Sequence, residues 1–387
     1  MTTTRLKGAR APRPVDLTLF TITCLLVMLG LWMVLDTSYP GTLDSAKAGG
    51  VIFSLMRGQM VGAFLGMVIL FCFTLYPYQK LRNFSSLAIF GSIILLSAVW
   101  IPHVGIRLNN SNRWIGIGPV VIQSSEIAKM SLMLYAAAFL TRKGMRVREL
   151  TMEGIVPLLI VAGLILLLIE KEPDLGTAVV LFMALLTQLY LAGARKRHLI
   201  IILTVSGLAV LLFMLHGSGI GHRMARIQEF MHPGYDPQGV GYQVVHSRMA
   251  VGSGEWYGVG LGRGKEKYYL PQANSDFIFA TYAEETGFAG SMVLLILLLT
   301  VGVRGFQIAA KAPDKFGCLL AGGIASVITW QALVNIAVAT GSIPATGVPL
   351  PFISHGSSSL ILLLAGVGIQ LNISQQQQIA PAEVVPV

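Results

Sequence analysis

The chain has 387 residues, of which 54% are hydrophobic and 12% charged, and its formal net charge is +10. A soluble domain carries roughly a quarter charged residues, and several apolar runs here reach the about 20 residues that cross a hydrocarbon core as a helix. Composition therefore excludes a soluble fold and points to a polytopic membrane protein. The basic excess falls mainly in short loops between apolar runs, where topology accounts for it better than nucleic acid does. Cys24, Cys72 and Cys318 lie in separate apolar runs, which argues against a disulfide framework or a cysteine metal site. No small-residue cleavage site follows the first run, so no cleaved signal peptide is expected.

Ten spans are predicted, near 17–35, 57–75, 84–102, 124–140, 153–169, 175–193, 198–216, 277–303, 317–340 and 357–372. They are read as helices because a membrane strand needs a closed barrel and an alternating pattern that is absent. The fold class is thus an all-α membrane domain over 17–372, between a basic leader (1–16) and a tail (373–387). Sixteen Lys and Arg residues fall in the leader, in loops 76–83 and 141–152, at 195–197 and at 304–315, against five in the short loops opposite. The positive-inside rule places both termini in the cytoplasm.

One connection breaks the pattern. Residues 217–276, between the seventh and eighth spans, form a long extracytoplasmic loop with six basic and five acidic residues. A loop of this length in a compact protein is usually functional. Within it, 242–251 reads as a short interfacial or re-entrant helix.

Asp276 ends this loop at the mouth of the eighth span. Such a carboxylate can cap the helix or serve as a general base, and position alone leaves the two evenly balanced. Glu284 and Glu285 follow on the same helix, rotated roughly 80° and 180° from Asp276 and more than ~12 Å along the axis, too far for a glycosidase-type carboxyl pair. They read as structural.

Glu126 and Lys129, three apart at the start of the fourth span, share a helix face; buried charges there mean either a site or a packing ion pair. Arg113 and Trp114 suit a polyanionic headgroup and an interfacial anchor. Asp174 in EKEPDLGTA reads as a cap for the sixth span. Gly258, Gly260, Gly262 and Gly264 miss the G-x-G-x-x-G spacing, but their N–H groups with Arg263, Lys265 and Lys267 can bind a pyrophosphate; a solvated or headgroup-binding loop reads equally well. GVPLPFISHGSSSL before the last span places irregular backbone at a depth where it must line a cavity or be buried; His355 and Ser357 to Ser359 are candidates to touch substrate.

As an ordered set, RWIGIGP, SSEIAK, EPDLGTA, DPQGVGYQ, SRMAVGSG, YLPQANSDFIFA, EETG and PLPFISHGSSS resemble the SEDS family, the FtsW and RodA proteins of bacterial cell-wall synthesis, over nearly the whole chain. The block GVGLGRGKEKYYLP is closer to the FtsW (division and sporulation) branch. The resemblance implies polymerisation of lipid II, with the family's essential aspartate at Asp276, its acid and lysine at Glu126 and Lys129, and its R-W pair at Arg113 and Trp114. The usual Q-P-S-E, H-T-D and Y-G-G-S-S read Gln123-Ser124-Ser125-Glu126, Asn274-Ser275-Asp276 and His355-Gly356-Ser357-Ser358-Ser359, which leaves the local roles of the missing Pro and His open.

Asp276 is then the base that deprotonates an acceptor sugar. Arg113, Lys129, Arg248 and Lys265, or a divalent cation (Mg2+ or Mn2+), are the candidates to offset pyrophosphate charge, and Ser357 is a candidate to contact substrate. No organic cofactor is implied. The implied partners are lipid II with its undecaprenyl chain, a class B penicillin-binding protein transpeptidase and other division proteins at the septum. Alternative readings are a lipid II flippase, the elongation version of the same polymerase, and a scaffold for the transpeptidase.

Overall fold

The computed structural model describes residues 14–38, 48–101, 105–108, 111–117, 120–216, 228, 230–232 and 241–377. The leader up to residue 13, most of the first half of the long loop and the tail from 378 lie outside the described residues. A helix occupies each of the ten predicted segments. They are α1 (Leu17–Ser38), α2 (Ala48–Leu75), α3 (Tyr78–Ala98), α4 (Ser124–Lys143), α5 (Val156–Lys171), α6 (Leu175–Leu191) and α7 (Lys196–His216). After α8 (Gly241–Ser253) in the long loop come α9 (Ile278–Ala310), α10 (Lys315–Ala339) and α11 (Ser357–Gln375). Among the described residues, six helices are long and apolar enough to cross a membrane: α1, α2, α3, α9, α10 and α11; α6 is a shorter apolar helix.

The helix starts follow from sequence. Asp16 accepts from Leu19 N (3.0 Å), Asp174 from Thr177 N (3.3 Å) and Asp314 from Gly317 N (2.9 Å), each satisfying an N–H that the first helical turn leaves open. Helices pack closely where side chains are small. A Cβ on Gly62 of α2 would lie 2.7 Å from Ser357 Cβ, and one on Gly368 of α11 would lie 2.5 Å from the Leu70 carbonyl. This is the small-residue packing that brings membrane helices together without a hydrophobic driving force between them. α10 lies in the middle, against α4, α6 and α9.

The bundle has two differently built ends. At one, Arg304 pairs with Asp16 (2.6 Å), Asp16 N donates to Ser374 Oγ (3.2 Å), and Tyr78 Oη donates to Asp314 (2.7 Å). The start of α1 and the end of α11 therefore share this end. The other end carries the long loop, the 340–356 segment and a feature that the hydropathy pattern leaves as plain loop. Here β1 (Gly105–Leu108), β2 (Ser111–Ile117) and β3 (Val120–Gln123) form an antiparallel sheet in the order β1-β2-β3. Trp114 stands opposite Ile106 on one side and Gln123 on the other. Such a sheet with open edges is compatible with an end of the bundle, not with the hydrocarbon itself.

Candidate active site

Asp276 lies in a turn that α8 and the 254–270 loop bring back to the bundle, one residue before Phe277, the N-cap of α9. It is half-exposed. Three consecutive carbonyls around it are held from elsewhere. Asn274 O accepts from His355 N (2.8 Å), Ser275 O from the Ser354 hydroxyl, and Asp276 O from Asn335 Nδ2 (2.8 Å). Asn335 Nδ2 also donates to Val348 O (2.7 Å). One side chain of α10 thus fixes the aspartate against the 345–349 segment. In that segment Gly347 has φ +69°, and a Cβ there would stand 3.2 Å from Asp276 Oδ2. Only a residue without a side chain leaves the carboxylate this space at little backbone cost.

A buried polar chain supports this arrangement. Glu126 and Lys129 on α4, each about 2% exposed, pair at 2.8 Å. Ser359 of α11 donates to Glu126 Oε2 (3.0 Å), Lys129 Nζ donates to Gln331 Oε1 (2.8 Å), and Gln331 Nε2 donates to Pro349 O (3.0 Å). Gln331 and Asn335 are one turn apart on α10, so they present neighbouring amides. The ion pair on α4 thereby reaches the segment that abuts Asp276.

Glu284 and Glu285 do interior work. Glu284 accepts from Lys265 N (2.7 Å) and Glu266 N (3.2 Å), and Glu285 from Gly262 N (2.9 Å) and Gly264 N (3.2 Å). The expectation that the N–H groups of the 258–264 glycines bind a pyrophosphate is corrected: the Glu285 carboxylate occupies those of Gly262 and Gly264, and those of Gly258 and Gly260 donate to the Gly254 and Glu285 carbonyls. Lys267 is buried and bridges Glu285 (2.8 Å) to Asp36 at the end of α1 (2.7 Å). The side chain of Lys265 is exposed.

The remaining candidates hold the frame. Arg113 Nε donates to Glu172 O (2.8 Å), its Nη2 to Pro173 O, and Asp174 lies 3.9 Å away. Ser124 donates to the buried Glu172 carboxylate (2.9 Å). Burial pushes the Glu172 carboxyl up to about 8, with Asp174 adding to the shift and Ser124 and Arg113 opposing it. Arg248 donates to Gly341 O (2.8 Å) and Ser247 to Ala339 O (2.7 Å), so α8 is fastened to the end of α10. Ser357 donates to Gly58 O (2.8 Å). Trp114 is partly buried in β2. Burial pushes the His355 imidazole below its ordinary range.

Residues 16–379 match the family model FTSW_RODA_SPOVE, described as a cell cycle protein. The chain belongs to the FtsW/RodA/SpoVE family. It is 38% identical over 363 residues to Stage V sporulation protein E of Bacillus subtilis (strain 168), covering 93% of this chain and 97% of the relative. It is 36% identical over 368 residues to a probable peptidoglycan glycosyltransferase FtsW of Trichlorobacter lovleyi, covering 95% and 94%. Among solved structures, a chain from a study of polymerization and crosslinking by a peptidoglycan synthase complex superposes with a TM-score of 0.76 at 27% identity, covering 93% and 97%. The rod shape determining protein RodA of Thermus thermophilus gives 0.67 at 25%, covering 94% and 98%.

In this FtsW/RodA/SpoVE member, the structure gathers Asp276, Asn335, Gly347, Ser354 and the His355 backbone at one point, with Glu126 and Lys129 behind them. Arg113 and Ser357 are engaged elsewhere, on the 172–173 carbonyls and on Gly58 O, and the Lys265 backbone is held by Glu284. Sequence reasoning missed Asn335, Gln331 and Gly347. The available signal was a Gln and an Asn four apart inside an otherwise apolar span, where buried polar groups default to a functional reading.

Proposed function

We propose that this chain is a peptidoglycan glycosyltransferase that polymerises lipid II at the outer face of a bacterial cytoplasmic membrane. The observation that carries the reading is the placement of Asp276, only half-buried at the mouth of the span and fixed through its own and the two preceding carbonyls. A base in this position accepts the proton of the acceptor GlcNAc 4-hydroxyl as its oxygen bonds to the anomeric carbon of the donor MurNAc. The anomeric carbon–oxygen bond to pyrophosphate breaks, the configuration inverts to a β-1,4 link, and undecaprenyl pyrophosphate leaves with the bonding pair. A positioned base contributes about 10²–10⁴-fold. The names and folds of the relatives support the same reaction class.

Leaving-group charge falls to cations at the same end of the bundle. Lys265 has an exposed side chain and Arg248 is half-buried; Lys129 and Arg113 are engaged by Glu126, Gln331 and the 172–173 carbonyls. Among the described residues no group of three or more His, Cys, Asp or Glu side chains is set to hold a metal ion, so no step is routed through one. The enclosed Glu126–Lys129 pair removes the main support for a lipid II transporter, which needs its midplane charges open to a pathway. The shared end of α1 and α11 supports cytoplasmic placement of both termini, the likeness to a chain from a study of polymerization and crosslinking by a peptidoglycan synthase complex supports work beside a crosslinking transpeptidase, and the FtsW name of relatives such as that of Trichlorobacter lovleyi supports a role in division.

The deciding experiment is polymerisation of purified lipid II by the detergent-solubilised protein and its Asp276→Ala and Asp276→Asn variants. Loss of glycan product by 100-fold or more is expected from both. Undiminished polymer from either variant overturns the assignment.

A further inference from the structure

The eighth span is broken. At Gly287 the backbone turns to φ 68°, ψ −166°, leaving a short stub, 278–286, ahead of the long remainder of α9. A break in a membrane helix frees backbone groups that need new partners, and here the long loop supplies them. Val259 N and Gly260 N donate to the carbonyls of Glu284 (3.0 Å) and Glu285 (3.1 Å), while Phe288 N and Ala289 N donate to Glu255 O (2.8 Å) and Trp256 O (3.1 Å). Residues 255–260 are sewn into the gap. A Cβ on Gly287 would lie 2.4 Å from Gly258 N, so the stitch has no room for a side chain there.

The side chains of the stub complete the attachment. Glu284 and Glu285 hold four loop N–H groups, and Lys267 ties Glu285 to Asp36 of α1. The Lys267 side chain is 3% exposed, that of Glu285 0% and that of Asp36 13%. Taking such charges out of water is costly, and apolar residues of equal volume often give equal or greater stability. Asp276 stands at the opposite end of the same stub, where Asn335 holds its carbonyl. The helical stretch from Ile278 to Glu285 alone spans roughly 10 Å, and Asp276 lies two residues beyond its start, too far for the cluster to touch the reacting atoms.

We infer that Asp36, Lys267 and Glu285 form a positioning triad that sets the stub, and through it the Asp276 carboxylate, against the acceptor sugar. The triad fixes the far end of a short lever whose near end carries the base. Misplacement by about 1 Å can cost on the order of 10²-fold in rate, so slack in the triad lowers turnover while leaving substrate binding intact. The inference rests on the reading of Asp276 as the base.

The test compares Lys267→Met, Asp36→Asn and Asp36→Glu with wild type in lipid II polymerisation by the full-length protein, alongside amide hydrogen exchange and thermal unfolding. Lys267→Met and Asp36→Asn are expected to lower kcat tenfold or more with KM for lipid II within twofold. Exchange should quicken in 278–286 while α10 and α11 keep their protection, and Asp36→Glu should recover most of kcat. If Lys267→Met does not fold, Asp36→Asn decides alone. Wild-type kcat in the folded variants, with Asp276→Ala inactive, overturns the triad and leaves the base standing. A kcat loss without faster exchange in the stub also overturns it. Activity in Asp276→Ala overturns the base and the triad with it.

Discussion

Asn335 and Asp276, 59 residues apart in sequence, are joined by a hydrogen bond from the Asn335 amide to the Asp276 carbonyl, and the same amide nitrogen reaches Val348 O. The side chain therefore fixes two segments relative to each other, the one that carries the carboxylate and the one that bounds it. Asn335→Leu keeps the volume and removes the donor. Leaving the two carbonyls unpaired costs about 1–3 kcal/mol for each that stays buried. We expect a lower melting temperature and a kcat reduced tenfold or more, measured by thermal unfolding and lipid II polymerisation. A variant with wild-type kcat would show that Asp276 is placed without Asn335.

Gly347→Ala tests the space beside the carboxylate. The left-handed backbone costs an ordinary residue about 1–2 kcal/mol, and the new methyl stands 3.2 Å from Asp276 Oδ2. The expected result is a large fall in kcat with lipid II binding retained. Equal losses in binding and turnover would instead indicate a general collapse of the 345–349 segment.

Arg113 separates headgroup recognition from scaffolding. Its guanidinium joins β2 to the turn between α5 and α6 through the carbonyls of Glu172 and Pro173. Arg113→Ala is expected to cost about 1–3 kcal/mol of stability, with KM for lipid II changed less than twofold in the protein that remains folded. A KM rise of tenfold or more in a stably folded variant would return Arg113 to the substrate.

The Glu172 carboxyl makes stability depend on pH. Its folded value of about 8 lies above the ordinary 4.5, so between these limits the folded chain holds a proton that the unfolded chain has released. Stability is full below about 4.5, falls as pH rises toward 8, by up to about 1.4 kcal/mol per pH unit, and is level above that. Glu172→Gln keeps an acceptor for Ser124 and removes the titration. Melting curves at pH 5, 6.5 and 8 should show wild type losing stability against the variant as pH rises. Parallel curves would refute the assignment.

The sequence displays the helices because each apolar run satisfies its own backbone, and it displays Asp276 because a carboxylate at the mouth of a span is conspicuous. It also displays Glu126 and Lys129 as a pair, since residues three apart on a helix are neighbours. Contacts between distant segments are not written in spacing. Lys267 and Asp36 are 231 residues apart, and nothing in either segment names the other. The glycines at 258–264 read as an open, anion-binding loop because their partners, Glu284 and Glu285, lie beyond the turn. The segment 277–303 reads as one helix because a single glycine does not announce a break. The sheet between α3 and α4 is hidden by strands of four to seven residues.

The break at Gly287 divides the labour of the eighth span. From Phe288 to Ala310 the helix runs 23 residues, roughly 34 Å at the usual rise, which meets the thickness of a hydrocarbon core unaided. Membrane insertion during synthesis therefore makes no demand on residues 276–286. These residues are free to carry charge, to turn, and to change under selection for chemistry, while the insertion machinery reads only the apolar stretch beyond the glycine.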